Sequence, residues 1–239
     1  MSQSDKSILM QFTFGIITGG GQEDRINEII TSIESQKIPT YEIIIIGSCF
    51  VKRSRTKIID FDETVKKLWI SKKKNMVAQL ALHENIVFLH DYIKLLPGWY
   101  SGWQQFGNNF SIGMNQILNY DGTRYRDWTL WAGDVQKLNS GLDSHECLLP
   151  YDISHLTKFM YISGAYWIAK KAVMLEIPFD EKYGWGEGED VYWSEAVRAK
   201  YQFSMNPKSI VQLMKDGKEV IFRHVMPEQA DKLRALRFD

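Results

Sequence analysis

A glycine-rich stretch that ends in two adjacent carboxylates has the residue types in this sequence that are best suited to chemistry. Residues 184–190 alternate three glycines with Trp185 and Glu187 and end on Glu189 and Asp190. Glycine adopts backbone angles that other residues avoid, so this segment can bend closely around a ligand. Residues 190–198 have the pattern of a helix, which puts both carboxylates at an N-terminus where amide donors stabilise negative charge. Asp190 is therefore a candidate general base.

A purely structural interpretation accounts for the same residues. Acidic side chains are common caps at helix N-termini, and Trp185 would then be a core side chain. The choice between the two interpretations depends on which other elements the fold brings to this stretch.

The composition suits an α/β domain and excludes some classes of function. The chain has 239 residues, of which 44% are hydrophobic, enough for a sizeable core. Lysine plus arginine equals aspartate plus glutamate at 29 each, which argues against nucleic-acid binding through bulk positive charge. Two widely separated cysteines, Cys49 and Cys147, form neither a disulfide framework nor a zinc site. The polar N-terminus and the interrupted apolar runs predict a cytoplasmic protein, with contact to the inner face of a membrane left open.

Strands and helices alternate through the first hundred residues. Strands are predicted at residues 8–18, 41–46, 57–61 and 86–89, and helices at residues 22–36 and 72–84. This order predicts an α/β fold with a mostly parallel sheet covered by helices. Ligands bind such sheets at the C-terminal ends of the strands.

Polar residues and glycines follow these four strands. Thr18 and Gly19 follow the first strand, Gly47 the second, Asp60 lies at the end of the third, and Asp91 follows the fourth. Their convergence on one edge of the sheet predicts a nucleotide site. The triple glycine at residues 19–21 has neither the spacing of a dinucleotide fold nor the lysine of a P-loop, so both of those sites are excluded.

The second half of the chain has weaker periodicity. Strands are predicted at residues 112–118, 159–169 and 220–225, a turn at 206–207 and a helix at 227–238. Residues 119–158 form a long polar and aromatic connection, and connections of this length are usually functional. No linker divides the chain. We therefore expect a single domain over residues 1–239, with a nucleotide-binding half at about 1–98 and an acceptor-binding half at about 99–239.

The order of these elements resembles the GT-A glycosyltransferase fold, and in particular glycosyltransferase family 2. Residues 86–92, with the Pro-Gly-Trp turn at 97–99, resemble the strand that ends in a D-x-D type motif. Residues 163–171 resemble the strand after the variable acceptor region, and residues 179–190 resemble the segment that holds the base in inverting members. Residues 184–190 are also similar to the W-G-W-G-G-E-D segment of the β-1,4-galactosyltransferases. The likeness covers nearly the whole chain and implies a Rossmann-like central sheet flanked by helices.

The resemblance implies transfer of a sugar from a nucleotide-diphospho-sugar, with a UDP-sugar as the expected donor, to an acceptor hydroxyl. The reaction would invert the anomeric carbon and build a surface glycan on a glycan or lipid-linked glycan acceptor. Asp190 would take the proton from the attacking hydroxyl, and Glu189 would shape the acceptor site. Trp185 and Gly186 would contact the acceptor, because an aromatic face suits the apolar face of a pyranose.

The same resemblance implies that residues at the strand ends and on the second helix bind the sugar donor. Thr18, Gly19, Gly47, Asp60, Lys74 and Asp91 would contact the nucleotide sugar, with Lys73 as an alternative to Lys74.

The leaving diphosphate must be neutralised, and the family's usual means is a divalent cation, Mn²⁺ or Mg²⁺. Asp91 and His224 would be its ligands. However, Tyr92 stands where a full motif carries a carboxylate, and a phenol with a pKa of about 10 is a poor ligand for these ions. The metal requirement therefore stays open.

Two other functions fit parts of the sequence. A sugar nucleotidyltransferase would carry arginines and lysines near the first strand, where only Arg25 is close. A non-catalytic sugar- or nucleotide-binding module derived from a glycosyltransferase would accommodate Tyr92. Neither alternative involves nucleic acid, and the sequence predicts no oligomeric state.

Overall fold

The fold consists of β-strands and α-helices within residues 9–138, 142, 146–215 and 223–237, the part of the chain that this computed structural model describes. The strands are β1 (Phe12–Ile17), β2 (Tyr41–Ile46), β3 (Thr56–Ile59), β4 (Asn85–His90), β5 (Ile93–Leu95), β6 (Ile112–Leu118), β7 (Thr129–Leu130), β8 (Glu146–Leu148), β9 (Met160–Tyr161), β10 (Tyr166–Lys170), β11 (Phe203–Leu213) and β12 (Arg223–His224). The helices are α1 (Glu23–Ser35), α2 (Ile70–Leu80), α3 (Trp99–Phe106), α4 (Ala132–Val135), α5 (Lys171–Glu176), α6 (Glu189–Arg198) and α7 (Pro227–Ala235). None of these helices combines the length and apolar character needed to cross a membrane.

An eight-stranded sheet in the order β3-β2-β1-β4-β10-β6-β11-β5 forms the centre of the molecule. Strand β1 pairs in parallel with β2 and β4, and β2 pairs in parallel with β3. Strand β10 runs antiparallel to β4 and β6, whereas β11 is parallel to β6. The predicted α/β sheet is thus confirmed, and it draws strands from both predicted halves of the chain.

Burial on both faces of the sheet explains the apolar runs of the central strands. Every residue of β1 and β4 is buried, and the last four residues of β2 are isoleucines that are also buried. Helix α1 buries Ile26, Ile29, Ile30 and Ile33, which share one helical face. Each fully buried isoleucine contributes roughly 1.5–3 kcal/mol relative to exposure. These strands and helix α1 therefore share one buried core.

The second half of the chain differs from its predicted elements at two places. Residues 159–169 are not one strand, because a turn that includes Gly164 separates β9 from β10. The predicted turn at residues 206–207 is wrong, because both residues lie inside β11. A bulge there shifts the register against β6 between Asn206 and Ile210. Of the predicted strand at residues 220–225, residues 220–222 lie outside the described part of the chain.

The long connection at residues 119–158 carries small elements of its own. Its strands β7 and β8 join β9 and β12, which lie outside the connection, in a four-stranded sheet of the order β12-β8-β7-β9. Buried Asp127 ties the connection to β6, because it accepts hydrogen bonds from the Ile117 N–H at 3.1 Å, Arg124 Nε at 2.7 Å and the Tyr151 hydroxyl at 2.8 Å. The polar residues of this region are thus partly structural.

Gly15 allows α2 to pack closely on β1, and a side chain there is expected to destabilise the fold. A Cβ on Gly15 would lie 2.4 Å from Val77 Cγ1. We expect Gly15→Ala to lower the free energy of unfolding by about 1–3 kcal/mol, measured by urea denaturation, because the helix must shift. Gly19→Ala is the control, expected to change stability by less than about 0.5 kcal/mol, because no atom lies within 4 Å of the added carbon. Equal stability of the two variants would contradict this packing.

Candidate active site

The parallel register brings the C-terminal ends of β1 to β4 to one edge of the sheet. Ile17 at the end of β1 is level with the last residues of β2 and β4, and β2 and β3 end level with each other. Thr18, Gly47, Asp60 and Asp91 therefore each occupy the first position beyond a strand. The structure brings these residues to one edge, as the sequence pattern predicted.

A cleft of about 380 Å³ opens at this edge. Of the predicted site residues, Thr18, Gly19, Asp91 and Trp185 line it. Trp185 of the glycine-rich turn and Asp91 after β4 thus line one cleft, whereas Glu189 and Asp190 are not among its lining residues. The cleft is also lined by Lys73, the predicted alternative to Lys74, and by Arg25, His90, Tyr92 and Lys215, to which no contact with the ligand was assigned.

Gly47 and Asp60 lie at the same edge but are not among the residues that line the cleft. Gly47 has φ of +131°, and a Cβ there would lie 2.2 Å from the Thr18 carbonyl oxygen, so only glycine fits. The Ser48 hydroxyl donates to Asp60 Oδ1 at 2.8 Å. This carboxylate is thus held beyond the end of β3, which β2 separates from β1.

Asp91 is oriented by the end of β1. The Thr18 hydroxyl donates to Asp91 Oδ2 at 2.7 Å, and the Gly20 N–H donates to the same hydroxyl oxygen at 3.0 Å. The Asp91 N–H donates to the Ile17 carbonyl at 3.2 Å. One carboxylate oxygen of Asp91 is therefore already engaged by protein.

His90 lines the cleft and carries a buried ring nitrogen with no partner. Its residue is 7% exposed, and Nε2 makes no hydrogen bond within the described part of the chain. Burial, and after it the positive charges of Lys74, Lys215, Arg126 and Lys73, hold the pKa of His90 well below its usual range, so the imidazole is neutral. The available sequence signal was a histidine between an apolar strand and Asp91.

Two lysines of α2, Lys73 and Lys74, are buried. The Lys73 ammonium contacts the Glu63 carboxylate and donates to the Thr18 carbonyl at 2.7 Å. The Lys74 ammonium pairs with Glu189 Oε1 at 3.0 Å, and its side chain is fully buried. Lys73 lines the cleft, whereas Lys74 is not among the lining residues and instead positions Glu189.

The two carboxylates of the glycine-rich stretch begin α6, as predicted. Gly188 precedes the helix in the left-handed conformation, with φ of +76°. Glu189 and Asp190 are only 6% and 9% exposed. The Gly164 N–H donates to Asp190 Oδ2 at 2.9 Å, and this bond together with the helix N-terminus stabilises negative charge on Asp190.

Asp190 lies at the same edge of the sheet as Asp91. Strand β10 is antiparallel to β4, and the His90 N–H donates to the Ala165 carbonyl at 3.1 Å. Continuing this register by one residue places Gly164 beside Asp91. Because Asp190 is hydrogen-bonded to Gly164, it adjoins the cleft, although it is not among the residues that line it.

The turn that carries Trp185 is fixed to the segment before α2. The Trp185 N–H donates to the Leu68 carbonyl at 3.0 Å, and the Ser71 hydroxyl donates to the Tyr183 carbonyl. Gly186 follows with φ of +80° and is exposed. These hydrogen bonds fix the backbone of the turn, whereas Trp185 itself lines the cleft and is 57% exposed.

His224 lies in β12, exposed, on the smaller sheet. It is not among the residues that line the cleft, so the two predicted metal ligands, Asp91 and His224, do not meet there. Across the described ranges, no group of three or more His, Cys, Asp or Glu side chains is arranged to hold a metal ion.

Comparisons with known proteins identify relatives by structure but not by sequence. No protein-family model matches the chain. No curated protein matches it either.

Solved structures similar to this fold include two glycosyltransferases. GalNAc-T7, crystallised with UDP, GalNAc and Mn²⁺, superposes with a TM-score of 0.60 at 13% identity, over 95% of this chain and 48% of its own. TarS of S. aureus superposes with a TM-score of 0.58 at 15% identity, over 94% of this chain and 38% of its own. A shorter TarS chain (1–349), in complex with UDP-GlcNAc, gives a TM-score of 0.58 at 13% identity and is covered over 64% of its length.

This chain thus spans less than two thirds of each of these neighbours. Sequence identities this low establish the fold alone. Membership of family 2 and the galactosyltransferase-like character of residues 184–190 stay predictions. The curled central sheet with flanking helices and the structural neighbours together show that this chain has the GT-A glycosyltransferase fold.

Proposed function

We propose that this chain transfers a sugar from a UDP-sugar to an acceptor hydroxyl with inversion of the anomeric carbon. The proposal rests on the cleft that Asp91 and Trp185 both line. Asp190 adjoins this cleft through its hydrogen bond with the Gly164 N–H. Neighbours with this fold were crystallised with UDP or UDP-GlcNAc, which supports a UDP-linked donor.

The donor would lie along the strand ends. Gly47 and Asp60 follow β2 and β3, and the nucleoside would bind on this side. Thr18 and Gly19, which line the cleft after β1, would contact the next part of the donor. Asp91 would contact the donor ribose, whose hydroxyls can donate hydrogen bonds to a carboxylate. The sugar would then reach the part of the cleft beside Trp185.

Asp190 would act as the general base. The acceptor oxygen attacks the anomeric carbon, the bond from that carbon to the diphosphate oxygen breaks, and UDP leaves with the electron pair. The hydroxyl proton passes to Asp190. Glu189 would position the acceptor, because its carboxylate is fixed by Lys74. Attack from the face opposite the leaving group inverts the configuration.

A divalent cation on the donor diphosphate is implied by the resemblance, and the Mn²⁺ of GalNAc-T7 supports it for the fold. In this chain the side-chain oxygen atoms around Asp91 do not provide the ligands that such an ion needs. Asp91 is the one carboxylate among the residues that line the cleft, and its Oδ2 already accepts the Thr18 hydroxyl. Hard cations take six or more oxygen ligands, so no step is assigned to a metal here.

The setting of the proposed reaction is surface glycan synthesis in the cytoplasm, with a glycan or lipid-linked glycan at the inner face of the membrane as the acceptor. Residues at about 1–98 would bind the nucleotide, and residues at about 99–239 would bind the acceptor. Both halves contribute to the cleft, which is lined by Asp91 from the first and Trp185 from the second.

Trp185→Ala is expected to weaken sugar binding without loss of fold. Stacking of an aromatic ring on a sugar contributes affinity, and Trp185 is 57% exposed at the cleft. We expect KM for the donor or acceptor sugar to rise about tenfold, with UDP affinity changed less than about twofold. The control is Leu82→Ala, which removes another exposed apolar side chain, two residues beyond the end of α2. Unchanged kinetic constants in Trp185→Ala would remove this residue from the site.

A screen of sugar nucleotides tests the proposed activity. The full chain is heated with UDP-glucose, UDP-galactose and their N-acetylamino forms, and UDP release is followed in parallel. At least one UDP-sugar is expected to raise the melting temperature and to turn over slowly to water. GDP- and CMP-sugars serve as controls. Absence of binding to every sugar nucleotide would contradict the proposal.

A non-catalytic binding module is the second candidate, favoured by Tyr92 at a motif position where a carboxylate is expected. Lys215 lies over the Tyr92 ring, with 3.8 Å from its ammonium to the ring centroid. A tight UDP-sugar complex that never releases UDP, with any acceptor, would support the module and contradict the enzyme.

A further inference from the structure

We propose that side-chain cations of the cleft, chiefly Arg25, Lys73 and Lys215, bind the donor diphosphate in place of a divalent metal ion. This inference rests on the proposed UDP-sugar transfer and specifies how that reaction neutralises its leaving group.

The charge of the cleft favours an anion. Arg25, Lys73 and Lys215 line it, against the single carboxylate of Asp91. Glu63 offsets part of the Lys73 charge, because the two side chains form an ion pair. A positive excess remains along a cleft whose walls are largely apolar, where charges interact more strongly than in water.

Arg25 is the cation best placed to take a new partner. It lies in the first turn of α1, is half-buried, and makes no hydrogen bond or ion pair with the residues that the structure describes. A guanidinium presents donors that match two phosphate oxygens at once. Arg25 can therefore engage the diphosphate without breaking an existing contact.

The ligands that a divalent ion needs are instead occupied or replaced. Thr18 engages one oxygen of Asp91, and Tyr92 offers a phenol where a second carboxylate is expected. The Lys215 ammonium sits 3.8 Å from the centroid of that phenol ring. A cation thus already occupies the region in which the second ligand of a metal ion is expected.

His90 provides an independent indication that a ligand enters here. His90 lines the cleft, and its Nε2 is buried with no hydrogen-bond partner within the described residues. Leaving such a group unsatisfied costs about 1–3 kcal/mol. With the proton on Nε2, the neutral ring donates a hydrogen bond to a phosphate oxygen.

These groups act on the step in which charge develops. As the bond between the anomeric carbon and the diphosphate oxygen breaks, the electron pair moves onto the leaving UDP. Lys73, Arg25 and Lys215 would donate hydrogen bonds to the phosphate oxygens of UDP. These hydrogen bonds would stabilise the transition state more than the bound substrate, because negative charge on the oxygens increases as the bond breaks.

Calorimetric titration of the full chain with UDP and with uridine, in EDTA and in Mn²⁺, tests the inference. Wild-type protein is expected to bind UDP in EDTA with a Kd within about threefold of that in Mn²⁺. Arg25→Ala and Lys215→Met are each expected to weaken UDP about tenfold and to leave uridine unchanged. Arg53→Ala and Lys208→Met remove cations elsewhere on the surface and are expected to bind UDP like wild type.

The possible results separate this inference from the proposed function. UDP binding that requires Mn²⁺ would overturn the inference and leave UDP-sugar transfer intact. Binding in EDTA that neither Arg25→Ala nor Lys215→Met weakens, with circular dichroism showing both variants folded, would overturn it as well. Failure to bind UDP and UDP-sugars in both buffers would overturn the proposed function itself.

Discussion

Replacing Asp190 by asparagine is expected to lower the rate of sugar transfer by about 10²–10⁴-fold, because a general base contributes this much. Asparagine keeps the shape of the side chain and still accepts the Gly164 N–H, so the turn stays folded. UDP affinity is expected to stay within about threefold of wild type, since Asp190 is not among the residues that line the cleft. The measurements are kcat at saturating donor and acceptor, and UDP binding by calorimetry.

Glu195→Gln is the matched control for this experiment. Glu195 lies on the same helix, its side chain is 44% exposed, and its nearest cation is Arg198 at 3.7 Å. The control is expected to transfer sugar at the wild-type rate. A rate for Asp190→Asn above about a tenth of wild type would exclude Asp190 as the base.

Lys74→Met is expected to destabilise the fold by about 3–5 kcal/mol, because it leaves the buried Glu189 carboxylate without its partner. The Lys74 side chain is fully buried and does not line the cleft. Its ammonium pairs with Glu189 at 3.0 Å. It also lies 4.7 Å from the ring centroid of Trp167 and 4.8 Å from that of Phe179. Urea denaturation measures the loss.

The neighbouring lysine and a double variant separate charge pairing from lost packing. Lys72 pairs with Glu181 at 2.9 Å, but both side chains are about one third exposed, so Lys72→Met is expected to cost less than about 1 kcal/mol. Adding Glu189→Leu to Lys74→Met removes the unpaired charge and is expected to recover most of the stability. Equal stability of Lys72→Met and Lys74→Met would contradict this assignment.

The sequence predicted best those parts of the fold that depend on local apolar pattern. Residues 41–46 and 112–118 were predicted as strands, and β2 and β6 have these bounds. Strand β11 was missed, because Asn206 and Pro207 have the composition of a turn. The structure accommodates them as a bulge inside the strand, where the Lys208 N–H donates to Asn206 Oδ1.

The candidate site was predicted where it depends on strand order and missed where it depends on distant partners. Parallel strands bring their ends together, so Thr18 and Asp91 could be placed from sequence. The burial of Lys73 could not, because its partner Glu63 comes from the connection before α2, outside any periodic pattern. The cations of the cleft likewise come from α1, α2 and the residues after β11, which only the tertiary fold brings together.

A crystal structure of the Asp190→Asn variant with an intact UDP-sugar tests the central claim most directly. We expect the diphosphate within hydrogen-bond distance of Arg25 and Lys73, and the hexose between Asp91 and Trp185. The anomeric carbon should face the side chain at position 190 with room for an acceptor hydroxyl between them. A UDP-sugar bound away from the strand ends, or a hexose separated from position 190 by the protein chain, would contradict the proposed site.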